Sequence, residues 1–213
     1  MSTTGGQRAG GVAGLVAVAL NIAGILPLLD APSAYKPGRF LEWYSFIQHN
    51  PSNTAVSAWA FTLGVLVLPI YAAGLRAAWP DRGEVTAGSW LIAAGGLMNG
   101  AATLAPFVVA YHLLPACPDP AACAPTAVLA LGWTLSLDAL FNLLLGVGLT
   151  LVGAGLLHAR SRLLGGICLL AGVLTVPVAG QVVSLSAAGW LGVAGPLWLL
   201  ALAATSVSLL RRA

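Results

Sequence analysis

The sequence predicts an all-α membrane protein: a single domain, residues 1–213, folded as a polytopic bundle of six transmembrane helices. Of its 213 residues, 59% are hydrophobic and 7% are charged, whereas soluble domains carry about 25% charged residues. Long apolar runs alternate with short polar segments, which is typical of membrane spans. The net charge is +3, and the nine Lys and Arg residues form no basic stripe. These charges do not indicate nucleic-acid binding.

Each apolar run reaches the roughly 20 residues that a membrane-crossing helix needs. We predict spans at residues 10–29, 55–75, 86–113, 127–157, 163–185 and 187–210. The fourth is longer than the bilayer requires, so we expect it to tilt or project. The first is longer than the apolar core of a signal peptide, and we therefore expect it to be retained rather than cleaved.

Prolines and glycines occur within these spans. Four prolines lie inside spans and should kink them or free carbonyl groups: Pro69, Pro106, Pro177 and Pro196. Two pairs of glycines have the four-residue spacing that lets helices approach closely: Gly10 with Gly14, and Gly96 with Gly100.

The arginines predict the orientation. The end that holds the N-terminus also holds most of the basic residues: Arg8, Arg76, Arg82, Arg160, Arg162, Arg211 and Arg212. The opposite end holds only Lys36 and Arg39. Because short cytoplasmic loops carry the excess of Lys and Arg, we predict a multi-pass protein of the bacterial plasma (inner) membrane with both termini cytoplasmic.

The first outer loop predicts a short interfacial helix. Phe40, Trp43, Tyr44 and Ile47 fall at helical spacing and form one apolar face. Such a helix would lie at headgroup level as an anchor. The alternative is a lid over a pocket that opens to the outer side.

The second outer loop carries Cys117 and Cys123, separated by five residues that include two prolines. On the oxidising side of the membrane this pair predicts a disulfide that ties spans three and four together. Two cysteines alone do not indicate a metal site, and none is predicted. Cys168 lies inside span five and is expected to be a small packing residue. No cofactor is predicted, since the two histidines that share a side for haem ligation, His49 and His112, lie at span ends.

Asp138 is the one acid inside a span. An acid at the membrane midplane costs about 2.5–3.5 kcal/mol, so it indicates either a function or a specific structural role. Thr134, Asp138 and Asn142 repeat every four residues and begin one polar stripe, which Gly146 and Thr150 continue.

Span three carries Asn99 and Thr103 on one face at a similar depth. Because spans three and four are adjacent and antiparallel, we expect Asn99 to face Asp138. The five candidate site residues are therefore Asp138, Asn142, Asn99, Thr134 and Thr103. They would form a proton or cation site, supply an acid to an enzyme, or serve as hydrogen-bonded contacts between helices.

Small and basic residues near the cytoplasmic ends resemble those of a family of bacterial six-helix membrane proteins of unknown function. The motifs are Tyr71 to Arg76 at the end of span two, Leu145 to Arg160, and Ser161 to Gly166 before span five. They cover about the middle half of the chain, and the outer loop with its two cysteines departs from the family pattern. The resemblance implies the topology and no activity.

Three functions remain open. The first is a non-catalytic accessory or structural subunit of a membrane assembly, which the sparse polar residues and short loops favour. Its partners would be the lipid bilayer and either other subunits or further copies of the chain. The second is a carrier or binding protein for a small apolar or cationic ligand, with Asp138 in the site. The third is an enzyme acting on a lipid or quinone; no second catalytic group is evident, so an enzyme is the less favoured class.

Overall fold

The structure is a computed structural model that describes residues 3–31, 42, 45–46, 49–108, 111–112, 116, 120–184 and 189–213. Within these ranges the chain forms helices and no strand. The α-helices are α1 (Thr3–Ile25), α2 (Pro51–Leu66), α3 (Leu68–Ala78), α4 (Gly83–Val108), α5 (Pro120–His158), α6 (Arg162–Thr175) and α7 (Leu191–Arg212). Two 3₁₀ helices continue α1 and α6: η1 (Leu26–Leu28) and η2 (Val176–Val182).

Five helical runs are long and apolar enough to cross a membrane. They are Thr4–Leu28, Pro51–Ala78, Val128–His158, Arg162–Gln181 and Leu191–Arg212. The helical membrane bundle predicted from composition is therefore confirmed in its class. The remaining predicted span corresponds to α4, which is 26 residues long but carries Ser89, Asn99 and several glycines. Six spans remain a prediction, and the interfacial residues Phe40, Trp43, Tyr44 and Ile47 lie outside the described residues.

Two prolines divide predicted spans into different helices. Pro69 is the second residue of α3, and Val67 separates α3 from α2. A proline ring at this position clashes with the carbonyl of Val65 and offers no N–H, which interrupts the α-helical hydrogen bonds here, whereas Pro196 stays inside α7. Pro177 is the second residue of η2 and marks the change of span five from α-helix to 3₁₀ helix. At 1.5 and 2.0 Å per residue, α6 and η2 together reach about 35 Å, enough to cross the bilayer.

The helices form a closed ring. Each span packs on the next one in the chain, and α7 returns to pack on α1. The centre of the ring is filled by buried apolar side chains from different helices, among them Tyr71, Leu145, Leu149 and Leu202. Cys168 is a buried free thiol within this core, in agreement with the packing role predicted for it.

Glycines allow the backbones to approach. A β-carbon added at Gly10 would lie 2.5 Å from the α-carbon of Gly74, so α1 and α3 touch through their main chains. Gly146 and Gly172 serve the same purpose between α5 and α6, since a β-carbon at Gly172 would lie 2.5 Å from the amide nitrogen of Thr150. Only glycine fits at such crossings without separating the helices.

The outer surface of the ring is apolar. Trp59, Trp90 and Trp133 are 58%, 59% and 61% exposed, and Leu163 is 78% exposed. A soluble protein rarely presents so much apolar surface, and lipid chains would cover it here. Arginines cluster where α3, α5 and α7 end and where α4 and α6 begin. We call this the basic end of the bundle.

Candidate functional site

Asp138 lies in the middle of α5, 18 residues after Pro120 and 20 before His158. At 1.5 Å per residue it is about 27–30 Å along the helix from either end. The helix spans 39 residues, or about 58 Å, so it projects well beyond a hydrocarbon core of about 30 Å. This length agrees with the expectation that span four tilts or extends past the bilayer, and it places Asp138 far from both helix ends.

Two amide side chains hold the carboxylate of Asp138. The amide nitrogen of Asn142 donates to Oδ2 of Asp138 at 3.2 Å and to its backbone carbonyl at 2.8 Å. The amide nitrogen of Gln181 donates to the same Oδ2 at 2.8 Å. Asn142 is one turn away on the same helix, whereas Gln181 comes from η2, so the second bond joins two elements. Both amide residues are almost completely buried, and Asp138 is partly buried.

The close packing of α5 and α6 brings Gln181 to this position. A β-carbon at Gly146 would lie 2.9 Å from the amide nitrogen of Val176 and 3.0 Å from the carbonyl of Gly172. The two backbones therefore run in contact just before η2 begins. Pro177 then turns the chain into the narrower 3₁₀ helix, and Gln181 follows four residues later beside Asp138. Small residues and a proline thus position the interhelical hydrogen bond.

Asn99 does not hydrogen-bond to Asp138 among the described residues, which differs from the expectation that the two face each other. The face of α5 that packs on α4 consists of Phe141, Leu144 and Gly148. Asp138 and Gly146 belong to the next face, which packs on α6 and η2. One residue corresponds to a rotation of about 100° on an α-helix. Asp138 and Asn142 are therefore in contact along α5, as the spacing suggested. The partner from another element comes from η2 and not from α4.

The threonines of the candidate set are hydrogen-bonded elsewhere. The hydroxyl of Thr134 donates to the carbonyl of Ala130 on its own helix at 3.0 Å. The hydroxyl of Thr103 lies 2.7 Å from that of Thr62, which joins α4 to α2. Thr134 stays on the same stripe as Asp138, whereas Thr103 belongs to another interface. Asp138 and Asn142 are the two predicted residues that the structure brings into contact.

Two buried oxygens of the amides that hold Asp138 have no hydrogen-bond donor among the described residues. They are Oδ1 of Asn142 and Oε1 of Gln181. Each amide uses its nitrogen on the carboxylate, so its oxygen is left without a partner. No Lys or Arg lies near the middle of any span, since those of the sequence are at span ends and in loops. The cluster therefore offers oxygen acceptors from three side chains and no positive charge, an arrangement that suits a cation or a hydrogen-bond donor.

Gln181 was absent from the residues singled out in the sequence. One signal could have found it, because it is the only glutamine inside a predicted span and intramembrane amides usually form hydrogen bonds between helices. A second buried contact was also missed. The hydroxyl of Tyr71 lies 2.6 Å from that of Thr205, which joins α3 to α7 across the ring. Nearby, Oγ of Ser206 is buried and has no hydrogen-bond partner in the part of the chain that the structure describes.

The basic end carries an ion pair. Nδ1 of His158, the last residue of α5, lies 3.1 Å from Oε1 of Glu84 in the first turn of α4. A backbone N–H bond to the carboxylate, and next the hydrogen bond with His158, hold the pKa of Glu84 below its ordinary value. Both side chains are exposed, so the pair contributes modestly to stability.

Other predicted features are not tested by these contacts. Cys117 lies outside the described residues, and the structure describes only the backbone at Cys123, so the disulfide remains a prediction. His49 and His112 are described at the end opposite the basic one, where Nδ1 of His49 lies 2.7 Å from the carbonyl of Ser45. Among the described residues, no three His, Cys, Asp or Glu side chains come together as a metal-binding group.

No protein-family model, curated protein or solved structure matches the chain. The resemblance to bacterial six-helix membrane proteins therefore stays a prediction.

Proposed function

We propose that this membrane protein binds a small cation at Asp138 and acts as its carrier or binding protein. The observation that carries this proposal is the set of groups around the carboxylate. Its hydrogen-bond donors are two amides, with no basic side chain among them. The oxygens of both amides have no hydrogen-bond partner within the described ranges.

Energetics support a cation rather than a structural contact alone. A charged carboxylate at mid-membrane depth costs about 2.5–3.5 kcal/mol. Hydrogen bonds between membrane helices average about 0.6 kcal/mol, so two of them recover about 1.2 kcal/mol. A bound cation would neutralise the acid, and amide oxygens are suitable ligands for a metal cation or acceptors for an ammonium group. An apolar ligand, the other possibility that the sequence analysis gave for a carrier, would not neutralise the acid.

The size of the ligand is limited by the packing. Among the described residues, one cavity lies beside Arg212 and another beside Tyr111, at opposite ends of the bundle, and Asp138 lines neither. Gly146 and Gly172 keep the neighbouring backbones in contact. We therefore propose a cation no larger than methylammonium, with the proton as the smallest candidate.

A binding experiment tests this proposal. Purified protein in lipid nanodiscs would be titrated with sodium, potassium and methylammonium, and its thermal unfolding recorded. Infrared difference spectra across a pH step would report proton binding to the carboxyl group. The Asp138→Asn variant keeps the shape of the side chain and removes its charge. The Thr134→Val variant, on the same stripe, is the control because its hydroxyl bonds only within α5.

We expect one of these cations to stabilise the wild type and Thr134→Val equally and to have no effect on Asp138→Asn. Equal thermal stabilisation of all three proteins by a cation would contradict the proposal. A wild-type protein that binds none of the three cations and no proton would also contradict it. Native mass spectrometry addresses the accessory-subunit hypothesis, which rests on composition. Other chains attached to the 21.5 kDa protein would favour that function instead.

A further inference from the structure

A cavity of about 330 Å³ opens at the basic end of the bundle, far from Asp138. It lies where α3 ends, where α5 turns into α6, and where α7 ends. Its lining contains the ring of Trp79 and most of the titratable residues of these three segments: Asp81, Arg82, His158, Arg160 and Arg212. The volume falls within the range of about 300–1,000 Å³ typical of ligand sites.

The cavity has an excess of positive charge. Arg82, Arg160 and Arg212 contribute three guanidinium groups against the single carboxylate of Asp81, which leaves a net charge of +2. Across the described ranges, the ion pair found is the one between His158 and Glu84, and it involves none of these arginines. Arg82 is close enough to Glu84 to help lower the pKa of that carboxyl, but none of the three arginines forms an ion pair among the described residues.

Arg212 is held by an aromatic contact, and Arg160 has an unusual backbone conformation. The guanidinium of Arg212 lies 4.6 Å from the centre of the Trp79 ring, a cation–π contact whose aromatic partner is almost fully buried. Arg160 has a φ angle of 61° in the turn that closes α5. This left-handed position after a helix is usually taken by glycine and costs other residues roughly 1 kcal/mol. Its use by an arginine that lines the cavity suggests that the side chain is needed there.

We propose that this cavity binds a phosphate group. Guanidinium groups match phosphate oxygens in geometry and charge, and three of them line one cavity of suitable size. The phosphate could belong to an anionic phospholipid, because helix ends lie at headgroup depth and basic pockets there bind such lipids. It could also belong to a soluble phosphate compound. Both sources share the same chemistry, and the experiment separates them.

The arginines adjacent in sequence provide a matched control. The double variant Arg160→Gln with Arg212→Gln removes two charges from the cavity. The double variant Arg162→Gln with Arg211→Gln removes two charges from the same end of the bundle, and neither residue lines the cavity. Both changes alter the net charge equally, so a diffuse electrostatic effect would weaken binding in both.

Detergent-purified protein would be titrated with phosphatidylglycerol and with phosphatidylcholine, followed by native mass spectrometry, and with inorganic pyrophosphate, followed by calorimetry. We expect saturable binding to the wild type, weaker by at least about tenfold in the cavity variant and within about twofold of wild type in the control. Saturation with phosphatidylglycerol identifies a lipid headgroup site, and saturation with pyrophosphate alone identifies a soluble ligand.

Equal weakening in the two double variants, or no weakening in either, would overturn the proposal. Circular dichroism before each titration would show whether the variants fold. Should the cavity variant fail to fold, the single change Arg82→Gln serves as the second test. It should weaken binding by about fivefold if Arg82 contacts the phosphate, and wild-type affinity in that variant would likewise count against the site.

Discussion

Asn142 and Gln181 both donate to the Asp138 carboxylate, but they hold it in different ways. Asn142 belongs to the same helix and also bonds the backbone carbonyl of Asp138, so its contact is local. Gln181 reaches from η2 and is the donor that connects Asp138 to another element. Loss of the Gln181 amide would leave the acid with its local partner alone and would remove its hydrogen bonds between η2 and α5.

The Gln181→Leu substitution should lower the free energy of unfolding by about 1 kcal/mol, because an interhelical hydrogen bond is lost and the carboxylate of Asp138 loses a donor. Unfolding in a series of detergent mixtures measures the change. Thr134→Val is the control and should stay within about 0.5 kcal/mol of wild type. If the two variants had the same stability, the Gln181 amide would not be a stabilising contact between α5 and η2.

Contacts between helices are set by which glycines face a neighbour. Gly165 and Gly166 are consecutive residues of α6 with opposite surroundings. A β-carbon at Gly165 would lie 2.8 Å from the amide nitrogen of Leu157 and 2.9 Å from the carbonyl of Gly153, whereas one at Gly166 meets nothing within 4 Å. Backbone atoms cannot move aside as a flexible side chain can, so the two positions should differ sharply.

We therefore expect Gly165→Ala to destabilise the protein by about 1–3 kcal/mol through overpacking against α5. Gly166→Ala should leave stability unchanged or raise it by up to about 1 kcal/mol, since alanine is the better helix former. Thermal unfolding of both variants in the same lipid gives the comparison. Similar losses in both would mean that α6 does not pack on α5 through Gly165.

The Glu84 and His158 pair joins the start of α4 to the end of α5. Because the pKa of Glu84 is lower in the folded protein, its contribution to stability is present above its ordinary pKa of about 4.3 and is lost as the pH falls through the lowered value. Glu84→Gln should melt at a lower temperature than wild type at pH 6, and the difference should vanish at strongly acidic pH. A difference that grows on acidification would contradict this sign.

Across the whole molecule, the closed ring gathers arginines that are far apart in sequence at one end. Arg82, Arg160 and Arg212 line one cavity there, and Arg76 packs over Trp90 at 4.5 Å. The positive-inside rule predicts that this end is cytoplasmic. That assignment, and the location of both termini, follow from charge rather than from the fold.

Reporter fusions test the orientation. Green fluorescent protein attached after Ala213 should fluoresce in a bacterial host, and alkaline phosphatase at the same point should be inactive, because the C-terminus is predicted to be cytoplasmic. Phosphatase inserted after Ala116, between α4 and α5, is the control and should be active. The reverse pattern would show that the basic end faces outward.

Composition and charge predict the helical membrane class of this protein, the positions of most spans and the buried acid, because those properties depend on the length and polarity of single segments. The sequence predicted kinks at Pro69 and Pro177. Whether each proline bends its helix or ends it depended on the hydrogen bonds formed around it. Which side chain hydrogen-bonds to Asp138 depended on how α5 is rotated about its own axis. The packing of Gly146 on Gly172 brings η2 against α5, where Gln181 rather than Asn99 hydrogen-bonds to Asp138. Such rotations arise from contacts between several helices at once, so tertiary structure decided them.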